Sequence, residues 1–120
     1  MTIKSGAQMI AEAKTRIREV SVPQVQQLIA GADAPVVLDC REPNETNLGR
    51  IPGAVVIPRG TLETKIEAVV PREQALVIYC AGGSRSALAA DTLQQMGYTN
   101  VASMAGGLGA WVAAGGAVEG

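Results

Sequence analysis

Leu76-Val77-Ile78-Tyr79-Cys80-Ala81-Gly82-Gly83-Ser84-Arg85-Ser86 is the stretch that decides how this chain is read. Four apolar and β-branched residues describe a short strand buried on both faces, the kind found inside parallel sheets. A cysteine follows at once, then a tight glycine loop. From Arg85 to Met96, Ala89, Leu93 and Met96 recur at helical spacing, and Gly97 supplies a stop. In open parallel sheets ligands gather beyond the carboxyl ends of the strands, which is where this order puts Cys80. Gly82 and Gly83 can adopt positive φ and turn successive amides into one concavity. That concavity opens a helix, where the dipole is positive, and Arg85 adds a full charge. A thiol held there loses its proton more readily than a free one. Two plainer readings stay open: Cys80 as a small buried hydrophobe, or the loop as an anion cradle without chemistry.

Outward from this stretch, residues 5–18 have helical spacing and Arg18 to Val20 suits a short strand. Ser21, Pro23 and Gln24 form a helix start. Val25, Leu28 and Ile29 give that helix its apolar face, and Gly31 ends it. Val36 to Cys40 is a second apolar run, read as a strand. Residues 41–49 are polar, a loop or one irregular helical turn. Ala54 to Ile57 and Val101 to Met104 are further short strands. Thr61 to Val69 is helical and stopped by Pro71, and a short helix runs through Trp111 after Gly106-Gly107. Strands alternating with helices predict an α/β domain: a mainly parallel central sheet flanked by helices on both faces. Residues 1–15 are expected to be an N-terminal helical extension, 16–114 the domain, and 115–120 a flexible C-terminal tail.

Composition narrows the chemistry. At 48% hydrophobic and 18% charged residues the chain is globular. The net charge is −1 with scattered basic residues, so no nucleic-acid footprint is present. No apolar run approaches bilayer length and no cleavable leader is visible, so a cytoplasmic chain without membrane contact is expected. Histidine is absent, and Cys40 and Cys80 are the only cysteines. A Ser-His-Asp or Cys-His machine therefore cannot be assembled, and no metal or other cofactor is expected. Any nucleophile must be activated by its surroundings.

Several blocks, in order, carry a family resemblance. Val37-Leu38-Asp39-Cys40-Arg41-Glu42-Pro43 resembles a "D-x-R-E" segment, and Gly49-Arg50-Ile51-Pro52-Gly53-Ala54 resembles "G-H-I-P-G-A". Tyr79-Cys80, Gly83 and Arg85-Ser86 resemble the loop "Y-C-x-x-G-x-R-S". Met96-Gly97-Tyr98 and Gly106 to Trp111 resemble the closing "G-Y/F … L-x-G-G-x-x-A-W". Over nearly its full length the chain is similar to rhodanese-homology domains. The resemblance implies a single-domain sulfurtransferase with Cys80 as nucleophile. Cys80 would take sulfur from thiosulfate or a persulfide and pass it to a thiol, cyanide or a protein. It further implies that the amides of Ala81, Gly82, Gly83, Ser84 and Arg85 stabilise the anion. Arg85 would brace the loop, and Ser84 and Ser86 are candidate hydroxyl donors. The one departure is Arg50, where the family pattern has His.

Other residues divide between two readings. Asp39 either orients Arg85 or the loop amides, or forms an ion pair apart from the chemistry. Arg41 faces substrate or is a solvated loop charge, and Arg59 admits a donor anion or lies on the surface. Cys40 resolves a Cys80 persulfide as a disulfide, or fills a core position. Trp111 packs in the core or over the loop rim. A non-catalytic persulfide carrier or docking module is the alternative function. Phosphatase or arsenate reductase chemistry is a third, and the loop argues against it: four residues separate Cys80 from Arg85, one fewer than the C-x₅-R of phosphatase-like relatives.

Overall fold

The computed structural model describes residues 2–120. Five parallel strands form one sheet: β1 (Arg18–Val20), β2 (Val36–Asp39), β3 (Val55–Val56), β4 (Leu76–Tyr79) and β5 (Val101–Met104), in the order β1-β5-β4-β2-β3. The fully buried strand expected at 76–79 is the central one, hydrogen-bonded to β2 on one side and β5 on the other. Because side chains alternate across a strand, the sheet divides the core in two. Leu38, Leu76, Ile78 and Val101 face one way, while Val37, Val77, Tyr79 and Met104 face the other.

Helices cover both faces. α4 (Leu62–Val69) and α5 (Ser84–Gln95) contribute Leu62, Ile66, Ala89 and Leu93 to the first layer. α2 (Val22–Ala30) and α6 (Gly107–Ala113) contribute Val25 and Trp111 to the second. The capping box read at Ser21 forms: its Oγ accepts from the Gln24 amide at 3.3 Å, and Gln24 Oε1 accepts from the Ser21 amide at 2.7 Å. α2 buries Val22 and Val25, and the wider stripe expected of it is corrected: Leu28 and Ile29 are 39% and 38% exposed. Nine residues make only two and a half turns, and the sheet meets the first of them.

α1 (Gly6–Arg16) lies against α5. Ala13 is buried, Arg16 forms a two-point ion pair with Asp91 (3.0 and 2.8 Å), and Gln94 Nε2 donates to the Arg16 carbonyl. The polar segment after β2 contains α3 (Pro43–Thr46), a single helical turn.

Residues 115–120 depart from the frayed end expected of them. Arg50 and Glu119 exchange both backbone hydrogen bonds at 2.9 Å, and Trp111 Nε1 donates to the Ala117 carbonyl at 2.8 Å. Buried main-chain and indole donors need partners, and this tail supplies them. Arg50, the residue that departs from the family pattern, sits at this seam. Trp111 accordingly packs in the core layer opposite α5, against Gly116 of the tail.

Candidate active site

Cys80 leaves the end of β4 and its side chain turns back beneath the loop that follows. The thiol is 1% exposed, whereas Ala81, Gly82 and Ser84 of the loop are exposed. Burial alone would suit a passive core cysteine. The surrounding donors do not. The Gly83 amide donates to Sγ at 3.1 Å and the Ser86 amide at 3.4 Å, and the Ser86 hydroxyl lies 3.5 Å from the sulfur. Desolvation pushes the Cys80 thiol up, but the Ser86 hydroxyl and the amides of Ser86, Gly83 and Gly82 outweigh it and hold the group below its ordinary value.

The loop takes this shape because its carbonyls are tied elsewhere. The first turn of α6 donates to them: Leu108 N to Cys80 O at 2.8 Å, and Gly109 N to Ala81 O at 3.2 Å. With those carbonyls held outward, the following amides face the sulfur. Two glycines make the approach possible. Gly83 has φ 103°, and at Gly107, with φ 60°, a Cβ would collide with the Cys80 carbonyl. Gly82 lies outside the positive-φ region, so Gly83 alone of the loop pair makes the turn.

The anion cradle read from the sequence is thus narrower than residues 81–85 around the sulfur itself. The amides of Gly83 and Ser86 donate to Sγ, and the Gly82 amide adds a weaker pull on the thiolate. Ala81, Ser84 and Arg85 make no such contact, and the exposed Ser84 is not a hydroxyl donor to the sulfur. Arg85 Nη1 and Nη2 grip the Glu45 carboxylate at 2.6 and 2.9 Å. This pair ties α5 to α3 and holds Glu45 down at about 2, the Arg85 hydrogen bonds being the chief cause. Glu45 escaped the sequence reading, in which residues 41–49 were a polar loop or one irregular helical turn with no site residue beyond Arg41; the helical turn is α3. The one signal for Glu45 is the Glu42-Pro43-Asn44-Glu45 spacing, in which Glu45 also reaches back to the Glu42 amide at 3.1 Å.

Asp39 and Arg41 belong together rather than to the loop. The Asp39 carboxylate accepts from Arg41 N, Nε and Nη2 at 2.7–3.2 Å, and Arg41 Nη2 also donates to the Gly49 carbonyl. Both are buried, so Arg41 is not a solvated loop charge, and the Asp39 carboxylate is held by Arg41 and not by Arg85. A buried carboxylate beside a sheet end demands a charged partner, and the residue two positions on provides it. Arg59 is likewise occupied, by Glu63 at 3.0 Å and Thr92 at 3.3 Å.

Cys40 is wholly buried at the end of β2, and its Sγ donates to the Tyr79 carbonyl at 3.4 Å. Burial first, then the nearby Cys80 and Asp39 charges, push its thiol up to about 12. It therefore matches the core-filling reading and is a poor nucleophile at neutral pH. A second residue escaped the sequence reading: Ser103, buried in β5, whose Oγ lies 2.8 Å from Ser86 Oγ.

Comparison with known proteins bears on the whole domain. The profile of the rhodanese-like domain matches residues 21–114. A sulfurtransferase of Allochromatium vinosum is 32% identical over 95 residues, spanning 79% of this chain and 88% of the relative. The thiosulfate sulfurtransferase GlpE of Pseudoalteromonas translucida is 32% identical over 99 residues, 81% of this chain and 90% of that one. Among solved structures, a protein of unknown function from Rhodopseudomonas palustris, named a possible tyrosine phosphatase, superposes with a TM-score of 0.87 at 40% identity, covering 99% and 98% of the two chains. With its parallel sheet, its cysteine at the end of the central strand and a profile match across 21–114, this chain belongs to the rhodanese-like domain family, which includes proteins named sulfurtransferases.

Proposed function

We propose that the protein is a rhodanese-type sulfurtransferase that carries sulfane sulfur as a persulfide on Cys80. The observation that carries this reading is the convergence of the Gly83 and Ser86 amides on a sulfur beneath an exposed loop. In the forward half-reaction the Cys80 thiolate attacks the outer sulfur of thiosulfate. A new S–S bond forms, the old one breaks, and sulfite leaves with the electron pair. The outer sulfur of the resulting persulfide is then attacked by a nucleophilic acceptor, cyanide or a thiol, and the Cys80 thiolate is regenerated. Both resting forms are anionic at sulfur, so one set of amide donors serves both. Thiosulfate as donor is favoured by the likeness to GlpE. A reducing compartment, the cytoplasm, keeps Cys40 and Cys80 as thiols.

The Rhodopseudomonas relative raises phosphate-ester hydrolysis as a second reading. Against it stand the short loop, with four residues between Cys80 and Arg85, and the capture of the Arg85 guanidinium by Glu45. The test is a thiosulfate:cyanide assay run beside an aryl-phosphate assay, each with wild type and Cys80→Ser. Turnover in the first assay alone, lost in Cys80→Ser, is expected. Phosphate release that depends on Cys80, without thiocyanate formation, rejects sulfur transfer.

A further inference from the structure

β5 alternates Val101 and Ser103 toward the α5 layer with Ala102 and Met104 toward the other. A fully buried hydroxyl at that position carries a desolvation cost unless it is bonded. The Ser86 hydroxyl lies 2.8 Å from it and bonds it. Ser86 in turn donates to the Gly83 carbonyl at 3.2 Å and accepts from the Cys80 thiol at 3.5 Å.

A hydroxyl has one proton to give. While Cys80 is a thiol, its S–H points at Ser86 Oγ and Ser86 gives its proton to the Gly83 carbonyl. The 2.8 Å contact is then satisfied only if Ser103 donates to Ser86. When Cys80 ionises, its proton leaves to solvent, and the Ser86 hydroxyl can turn from the Gly83 carbonyl to the sulfur. Ser103 need not move: it still donates to Ser86 Oγ, and that polarises the Ser86 O–H toward whatever it faces.

We propose that Ser103 is a positioning residue for Cys80, a fixed hydroxyl donor that leaves the Ser86 proton free for the sulfur anion. The inference rests on Cys80 being the reactive thiol, but it does not depend on which donor or acceptor the protein uses. It makes β5 part of the thiolate machinery, acting through Ser86.

The test follows the rate of Cys80 alkylation by iodoacetamide against pH, with the modified peptide identified by mass spectrometry. Removing one neutral hydrogen bond in Ser103→Ala should move the inflection upward by about half a unit to one unit and so slow alkylation about three- to tenfold at pH values below the inflection. The rate plateau at high pH should be unchanged. Ser103→Thr, which keeps the hydroxyl, should restore the wild-type profile, and that a bulkier folded variant does so guards against a packing explanation. In a Ser86→Ala background, Ser103→Ala should shift the inflection no further, because its effect passes through Ser86. A Ser103→Ala profile superimposable on wild type, or an equal shift with and without Ser86, overturns the relay. If Ser103→Ala shifts the profile while wild type transfers no sulfur, the relay stands and the proposed function fails. A wild-type inflection no lower than that of free cysteine overturns both.

Discussion

Arg85 closes on Glu45, forty positions earlier in the chain, through two hydrogen bonds of 2.6 and 2.9 Å. The loop's one full positive charge thus acts on the sulfur at a distance, and the groups that touch Sγ are main-chain amides and a hydroxyl. The Arg85–Glu45 pair fixes the first turn of α5, and with it the Ser86 amide. Thiolate stabilisation therefore depends on geometry set by a carboxylate in a different part of the sequence.

Glu45→Gln should reduce sulfur transfer several-fold, since a neutral amide holds Arg85 less firmly. It should also change the acid limb of stability. Glu45 is held at about 2, below its usual value, so its contribution is present above the ordinary carboxylate range and is lost as pH falls toward 2. Thermal melts from pH 6 down to pH 2 should show wild type losing stability more steeply than Glu45→Gln. Parallel acid limbs would contradict this.

Arg41→Met should unfold the domain far more readily than most single changes. It strands the buried Asp39 carboxylate, and breaking one side of such a pair costs about 3–5 kcal/mol. Denaturant titration measures this directly. Replacing both partners with apolar residues should recover much of the loss.

Gly107→Ala should damage both stability and reactivity. Its backbone lies at φ 60°, and the new methyl meets the Cys80 carbonyl. Strain at such a position costs on the order of 1–3 kcal/mol, and relieving it means pulling α6 off the loop carbonyls. The expected readout is a lower melting temperature together with slower alkylation of Cys80. Gly53→Ala, at φ 79° with open space around it, should lower the melting temperature without touching Cys80 reactivity.

The sequence carried the frame and the place of Cys80 at the end of the central strand well, because both are written locally. An unbroken apolar run ending in cysteine, glycine and a helix start marks the central strand and the loop after it. The partners of the site were not legible, because they come from elements that only the fold brings together. Glu45 lies in a polar stretch with no periodicity, and Ser103 is one small residue in a four-residue strand. Asp39 and Arg41 were visible as charges, but their mutual pairing follows from burial, which local spacing does not report. The tail looked unstructured because Ala, Gly and Val give no periodic signal. What holds it is main-chain pairing with Arg50 and the indole of Trp111.

Alkylation should also separate the two cysteines. At pH 7 iodoacetamide should modify Cys80, held below its ordinary value, and leave Cys40, raised to about 12, untouched until denaturant is added; both residues are buried, so the difference reports thiolate character and not exposure. Equal labelling of both in the native state would mean that the amides around Sγ confer no selectivity.

Intact-protein and peptide mass spectrometry after incubation with thiosulfate tests the central claim most directly. The Cys80 peptide should gain the mass of one sulfur atom, lose it on adding cyanide, and stay unchanged in Cys80→Ser. A folded wild-type protein that gains no sulfur from thiosulfate or a small-molecule persulfide, or that gains it on Cys40 instead, is not a sulfurtransferase acting through Cys80.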